Sequence, residues 1–185
     1  VFRPTVANPA QKRTIRPIYA QHQATPYGGF LDPNWNRSFD IWPGTVMCRL
    51  TAEVFTPFTT NAGVPVLPST NAKPFGLSAL WVAPVAGIDE VTATGSNLFT
   101  VWNGGPDAVF EIVAPAFDPT ANWSGVNPTD GGRTLLTANA TGQLTPVGAS
   151  NYNAVAELVD VESAEVILIR LNPFNLTSAV TAGAS

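Results

Sequence analysis

Proline does most to limit what this chain can become. Seventeen prolines are spread through 185 residues. Each fixes φ and removes a backbone donor, so helix interiors and central strands both exclude it. Fifteen glycines add turns, and no segment keeps a helical period. The chain is left with short strands and the loops between them.

Residues 73–115 show this best. They hold three apolar runs, 75–82, 98–102 and 109–113, each rich in β-branched or aromatic residues and bounded by Pro, Gly or Asn. In the last run Val109, Glu111 and Val113 alternate with Ala108, Phe110 and Ile112, giving one mixed face and one apolar face. Asn103-Gly104-Gly105-Pro106 reads as a tight reversal, so 98–102 and 107–113 are expected to pair as a hairpin. Further strands are expected at 45–50, at 51–58 as its continuation past a bend, and at 64–67, 90–94, 134–137 and 142–146. Segments 154–161 and 164–171 form the clearest pair, joined by a two-residue turn at Glu162-Ser163. Residues 116–133 are a long polar loop, of a size that usually serves function or is ordered by a partner. The expected fold is all-β: one compact barrel or sandwich body, β-tulip-like, over 40–171, with long loops. A tail follows at 172–185 and an extended N-terminal arm precedes at 1–39.

The arm is set apart by charge. Before Asp32 there are four bases, Arg3, Lys12, Arg13 and Arg16, and no acid; the remainder carries thirteen acids against five bases. A basic arm thus precedes an acidic body. The arm is also too greasy for a disordered tail, because Phe2, Ile15, Ile18, Tyr19, Tyr27, Phe30, Leu31, Trp35 and Phe39 would all sit in water. An extended segment of this kind lies along a surface, with an acidic neighbour favoured. Only 12% of the chain is charged while 45% is apolar, which suits a protein much of whose surface is covered by partners.

The residues give little support to catalysis. His22 is the only histidine and lies in the arm, away from any rigid element holding Ser or Cys48, so a His-dependent nucleophile has no base. Cys48 excludes an intrachain disulfide and reads as a buried, inert thiol. The acidic pairs Asp89-Glu90 and Asp160/Glu162 are explained by turns and solvated strand edges. Oxygen ligands at Asp118–Asn122 and 127–132 lack the spacing of a calcium loop, although a loop calcium site at 116–133 stays open. One Cys and one His exclude an ordinary structural zinc site, and no glycine-rich phosphate loop is present. No cofactor is expected. No apolar run approaches the ~18–20 residues of a membrane span, and no secretion signal is read, so the Asn-x-Ser/Thr triplets at Asn36, Asn122, Asn139 and Asn175 count as chance. Nucleic-acid binding would need a basic stripe that the body does not have.

Several short patterns resemble the capsid decoration (cement) proteins of tailed bacteriophages. They are the aromatic, proline-rich arm, Gly44-Thr45-Val46-Met47, Phe75-Gly-Leu-Ser-Ala-Leu-Trp-Val, Phe99-Thr-Val-Trp and the closing pair 154–171. The resemblance implies a non-enzymatic structural protein on the outer surface of the virion. It would bind the major capsid protein and cement neighbouring subunits, often as a homo-oligomer, with a trimer favoured. Arm residues Phe2, Arg3, Arg13, Arg16, Tyr19, Tyr27, Phe30 and Trp35 are the expected partner contacts. Two other readings compete. A single jelly-roll shell protein of a small virus also has a basic arm, but four charges are few for neutralising RNA. A carbohydrate-binding β module would use Trp81, Trp102 and Trp123 as stacking platforms.

Overall fold

The alternation in the sequence becomes two faces of a sheet. In β9 (Val109–Val113), Phe110 and Ile112 are fully buried, while Glu111 and Val113 turn to the other side. The computed structural model describes residues 14–35, 38–62, 64–80, 82, 98–105, 107–126, 128, 134–147 and 153–171. Among them, six strands make one antiparallel sheet in the order β1 (Ile15–Tyr19), β9, β13 (Val166–Leu171), β12 (Ala156–Ser163), β10 (Thr134–Ala138) and β11 (Leu144–Pro146). Five others close into a barrel, in the order β2 (Ala24–Leu31), β4 (Val54–Pro57), β3 (Val46–Arg49), β7 (Pro74–Ser78) and β8 (Leu98–Gly104). Within the barrel β2 and β4 run parallel and the other pairs antiparallel. β5 (Thr59–Asn61) and β6 (Val64–Leu67) form a two-stranded ribbon. The all-β expectation is met.

Two hydrophobic cores result. One lies under the six-stranded sheet and gathers Ile15, Phe110, Ile112, Leu136, Leu144, Leu158, Ile167, Ile169 and Leu171. The other fills the barrel with Leu31, Trp35, Ile41, Met47, Phe55, Val82, Phe99 and Val101. β3 belongs to both. Its Val46 and Cys48 join the first core and Met47 the second. A strand buried on two faces reads as a continuous apolar run, and Val46-Met47-Cys48 is one. Cys48 is buried as expected, and burial pushes its thiol pKa up, which keeps it protonated.

Three expectations change. The reversal at Gly104-Gly105 exists, but 98–102 and 107–113 do not pair: β8 joins β2 and β7 in the barrel, and β9 joins β1 and β13 in the sheet. The chain changes sheets at the turn instead of folding back on itself. Residues 51–58 do not continue the preceding strand; β4 turns back antiparallel to β3. The pairing of β12 with β13 is as expected, but Ser163 lies opposite Val166, so the two-residue loop is Ala164-Glu165 and not Glu162-Ser163. Two register shifts within β12 carry the turn further along.

Of the stretch expected as an arm, Ile15–Tyr19 and Ala24–Leu31 are strands that the body incorporates. β1 is an edge of the sheet, and β2 pairs with β8 over its whole length. The Thr14 hydroxyl donates to the Pro43 carbonyl and anchors the start of β1. The prolines fit because of where they fall. Pro17 is in an edge strand beside a register shift, and Pro26 pairs with Trp102 where β2 has no second neighbour, since β4 joins only at Phe30 and Leu31. Residues 1–13, 90–94 and 172–185 lie outside the described residues.

Phe110→Ala should cost about 3–5 kcal/mol in urea unfolding, because it empties a fully buried aromatic site in the core under the six-stranded sheet. Leu98→Ala, at 65% exposure, should change stability by no more than about 0.5 kcal/mol.

Candidate partner-binding surface

Two segments carry the chain between its sheets, and they run side by side. The first leaves β1 through Ala20, in a left-handed conformation (φ 45°), and a 3-10 turn at Gln21–Gln23. The second is the Gly104–Ala108 reversal. Gln23 joins them: its carbonyl accepts from Gly105 N–H (2.9 Å), its Oε1 accepts from Asp107 N–H (3.1 Å), and its Nε2 donates to Asp107 Oδ2 (3.3 Å). Gly105 must be glycine for this fit, since a Cβ there would stand 2.6 Å from Gln23 Oε1. Exposed His22 sits on this turn, and no catalytic partner for it appears among the described contacts.

The expected contact residues separate by position. Arg16 forms a bidentate ion pair with Glu111, directly opposite it in register, at 2.8 Å from Nε and 2.7 Å from Nη2. That hydrogen bond, then the opposite charge, raises the Arg16 pKa. Tyr19 is 68% exposed at the end of β1. Tyr27 is half-exposed at the barrel and meets Phe75 edge-on at 5.3 Å; Arg49 lies over the same Phe75 ring at 5.4 Å. Phe30 is 41% exposed on the outer wall of β2. Trp35 is inside the barrel, edge-on to Phe39 at 5.5 Å, and its bulk serves packing. Phe2, Arg3 and Arg13 lie outside the described residues.

The sequence reading passed over Leu98 and Leu50. Leu98 faces Phe30 directly across the β2–β8 ladder, so the two apolar groups lie side by side on the outer wall. Leu50 is exposed in the β3–β4 turn, which is bonded to the same end of β2 through Phe30 N–H and the Glu53 carbonyl. A signal was available in 98–102: if Phe99 and Val101 face the core, Leu98 must face out.

The 116–133 loop is packed by its own side chains where it is described. Phe117 and Trp123 are buried, their rings meet edge-on at 5.2 Å, and the Trp123 indole N–H donates to the Asp118 carbonyl at 2.7 Å. Trp102 is half-buried against Phe110. Trp102 and Trp123 thus both make packing contacts within the body. Trp81 lies outside the described residues. Asp118 Oδ1 accepts from the Thr120 N–H and hydroxyl, and Oδ2 from Asn139 Nδ2. Partial burial pushes the Asp118 pKa up, but these hydrogen bonds outweigh it and the net shift is downward.

The described residues make a two-core β body with edge-strand and barrel-wall aromatics turned to solvent. A family model described as Phage cement protein matches residues 1–185, and the chain belongs to that family. It is a structural protein of the phage virion, located at the capsid surface and associated with the capsid. Comparison with curated proteins gave no significant match, and neither did comparison with solved structures. No helix among the described residues is long and apolar enough to cross a membrane.

A depressed carboxyl pKa stabilises the fold above the ordinary aspartate range, and that stabilisation disappears as pH falls through the lowered value. Asp118→Asn should therefore differ most from wild type near neutral pH, by less than about 1 kcal/mol because the group is largely solvated. The two unfolding curves should converge once pH has fallen below the lowered value. A gap that stays constant with pH would show that the carboxylate's charge does not matter.

Proposed function

We propose that this protein cements the shell by docking on the major capsid protein through the apolar end of its barrel, and that it acts as a homotrimer without catalysis. The observation that carries the reading is the exposed Phe30–Leu98 pair, with Tyr27 at the same barrel and Leu50 in the turn bonded to it. Large apolar side chains adjacent on a rigid wall are the usual anchors of an interface, and desolvating them supplies most of its affinity. Tyr19 adds an amphipathic contact at the end of β1. Phe2, Arg3 and Arg13, which precede β1 in the sequence, would add aromatic and basic contacts. Three copies bound together would make modest contacts persistent, because each attached copy holds the next at high effective concentration.

Co-sedimentation with undecorated capsid shells tests this. The double variant Phe30→Ser/Leu98→Ser should keep its circular dichroism and lose about tenfold or more in affinity. Unchanged occupancy would place the docking face elsewhere. Sedimentation equilibrium on the free protein should give three times the chain mass, and a monomer would remove the trimer.

A further inference from the structure

We propose that the open edge of β2 receives an extended strand of the capsid subunit, which lengthens the barrel sheet by one member. The barrel closes between β2 and β4 at two register pairs, Phe30 with Val54 and Leu31 with Phe55. Before Val54 the chain turns away. The Arg49 guanidinium holds the Thr51 and Ala52 carbonyls at 2.6–3.1 Å, so the β3–β4 turn curls on itself and β4 starts too late to reach the rest of β2. Thr25, Pro26, Tyr27 and Gly28 are all exposed.

The ladder fixes which backbone groups face out along this edge. The Phe30 N–H donates to the Glu53 carbonyl (2.6 Å), away from β8, and the facing of backbone groups alternates along a strand. Gly28, Pro26 and Ala24 therefore also turn theirs away from β8. Thr100, opposite Gly28, agrees with this, since its carbonyl accepts from the Ala79 N–H instead. The Ala24 N–H is spent on the Gln21 carbonyl, and proline has none. Among the described residues the edge thus leaves open one donor, the Gly28 N–H, and three acceptors, the carbonyls of Ala24, Pro26 and Gly28.

A bare edge is a template for another strand, and proteins blunt it with charge, proline or a bulge, or cover it. β1 carries Arg16, Pro17 and a register shift. β11 is covered where Leu144 bonds Ala116 and Asp118, and β6 contains Pro65. Residues 24–31 have no charged side chain, and Pro26 is the one proline among them. The mismatch of donors and acceptors selects the occupant. Each copy offers one donor, so two β2 edges would make at most two hydrogen bonds with each other. A foreign antiparallel strand with N–H groups at three alternate positions makes all four. The edge runs straight into the Phe30–Leu98 wall, which makes the capsid subunit that partner; here the inference rests on the docking reading above. A Cβ at Gly28 would meet nothing within 4 Å, so the residue paired with Gly28 has room to lay a large side chain over it.

Hydrogen exchange at Gly28 in the full chain is the test. In the free protein Tyr27 and Gly29 are bonded to β8 and should exchange slowly, while Gly28 should exchange at close to the rate of an unstructured glycine. On capsid shells the Gly28 amide should slow by about tenfold or more, read from the mass of peptides spanning 24–31 after decorated shells are labelled and quenched in acid. Gly28→Pro deletes a donor that the fold does not use. It should keep circular dichroism and lower shell affinity about tenfold. The exchange measurement needs no variant, so it decides even where Gly28→Pro does not fold. A Gly28 amide already protected in the free chain would mean that the chain covers its own edge, and overturns the proposal. Shell binding with Gly28 still fast also overturns it and leaves docking through Phe30 and Leu98 standing. Failure of the wild-type protein to bind shells overturns both readings.

Discussion

The architecture depends on the chain passing from sheet to barrel at β1–β2 and returning at β8–β9. The two passages run side by side because β2 pairs with β8 up to Ala24–Gly104 and β1 with β9 at Tyr19–Val109, and Gln23 bonds one to the other. These long ladders outweigh the local hairpin that the Gly104-Gly105 turn favours, so β8 stays in the barrel and β9 goes to the sheet. A long-range contact thus overrides local turn chemistry, and each layer receives the strand that completes its core.

The surface follows from the same division. Among the described residues no layer covers the outer wall of β2 and β8, and Phe30 and Leu98 remain on it. A cement protein gains from this arrangement. If Phe30 and Leu98 are its anchors, as proposed, they are held on a ladder in a fixed register, so little side-chain and backbone entropy would be lost on docking.

Much of this was legible in sequence. Proline and glycine spacing gave the all-β class, the alternation of Phe110 and Ile112 gave the core face of β9, and the β12–β13 pair was evident from its two apolar runs. Family membership was visible as short patterns and is shown by a match over 1–185. Strand pairing was harder to read. Asn-Gly-Gly-Pro encodes a reversal but not which strand waits beyond it, and the turn after β12 moved because bulges leave no periodic trace. The arm residues were also hard to place. Tyr27, Phe30 and Trp35 look alike in a proline-rich segment, yet Trp35 fills the barrel and Phe30 faces outward.

β3 carries side chains of both cores, Val46 and Cys48 on one side and Met47 on the other. If the protein spans capsid subunits, as proposed, it would carry tension between them. In a molecule of two separable layers, tension applied at the barrel would peel barrel from sheet. Here the layers share a strand as a common wall, so tension entering at one must shear the packing of both before either yields. The molecule resists as a rivet does, by having no internal seam.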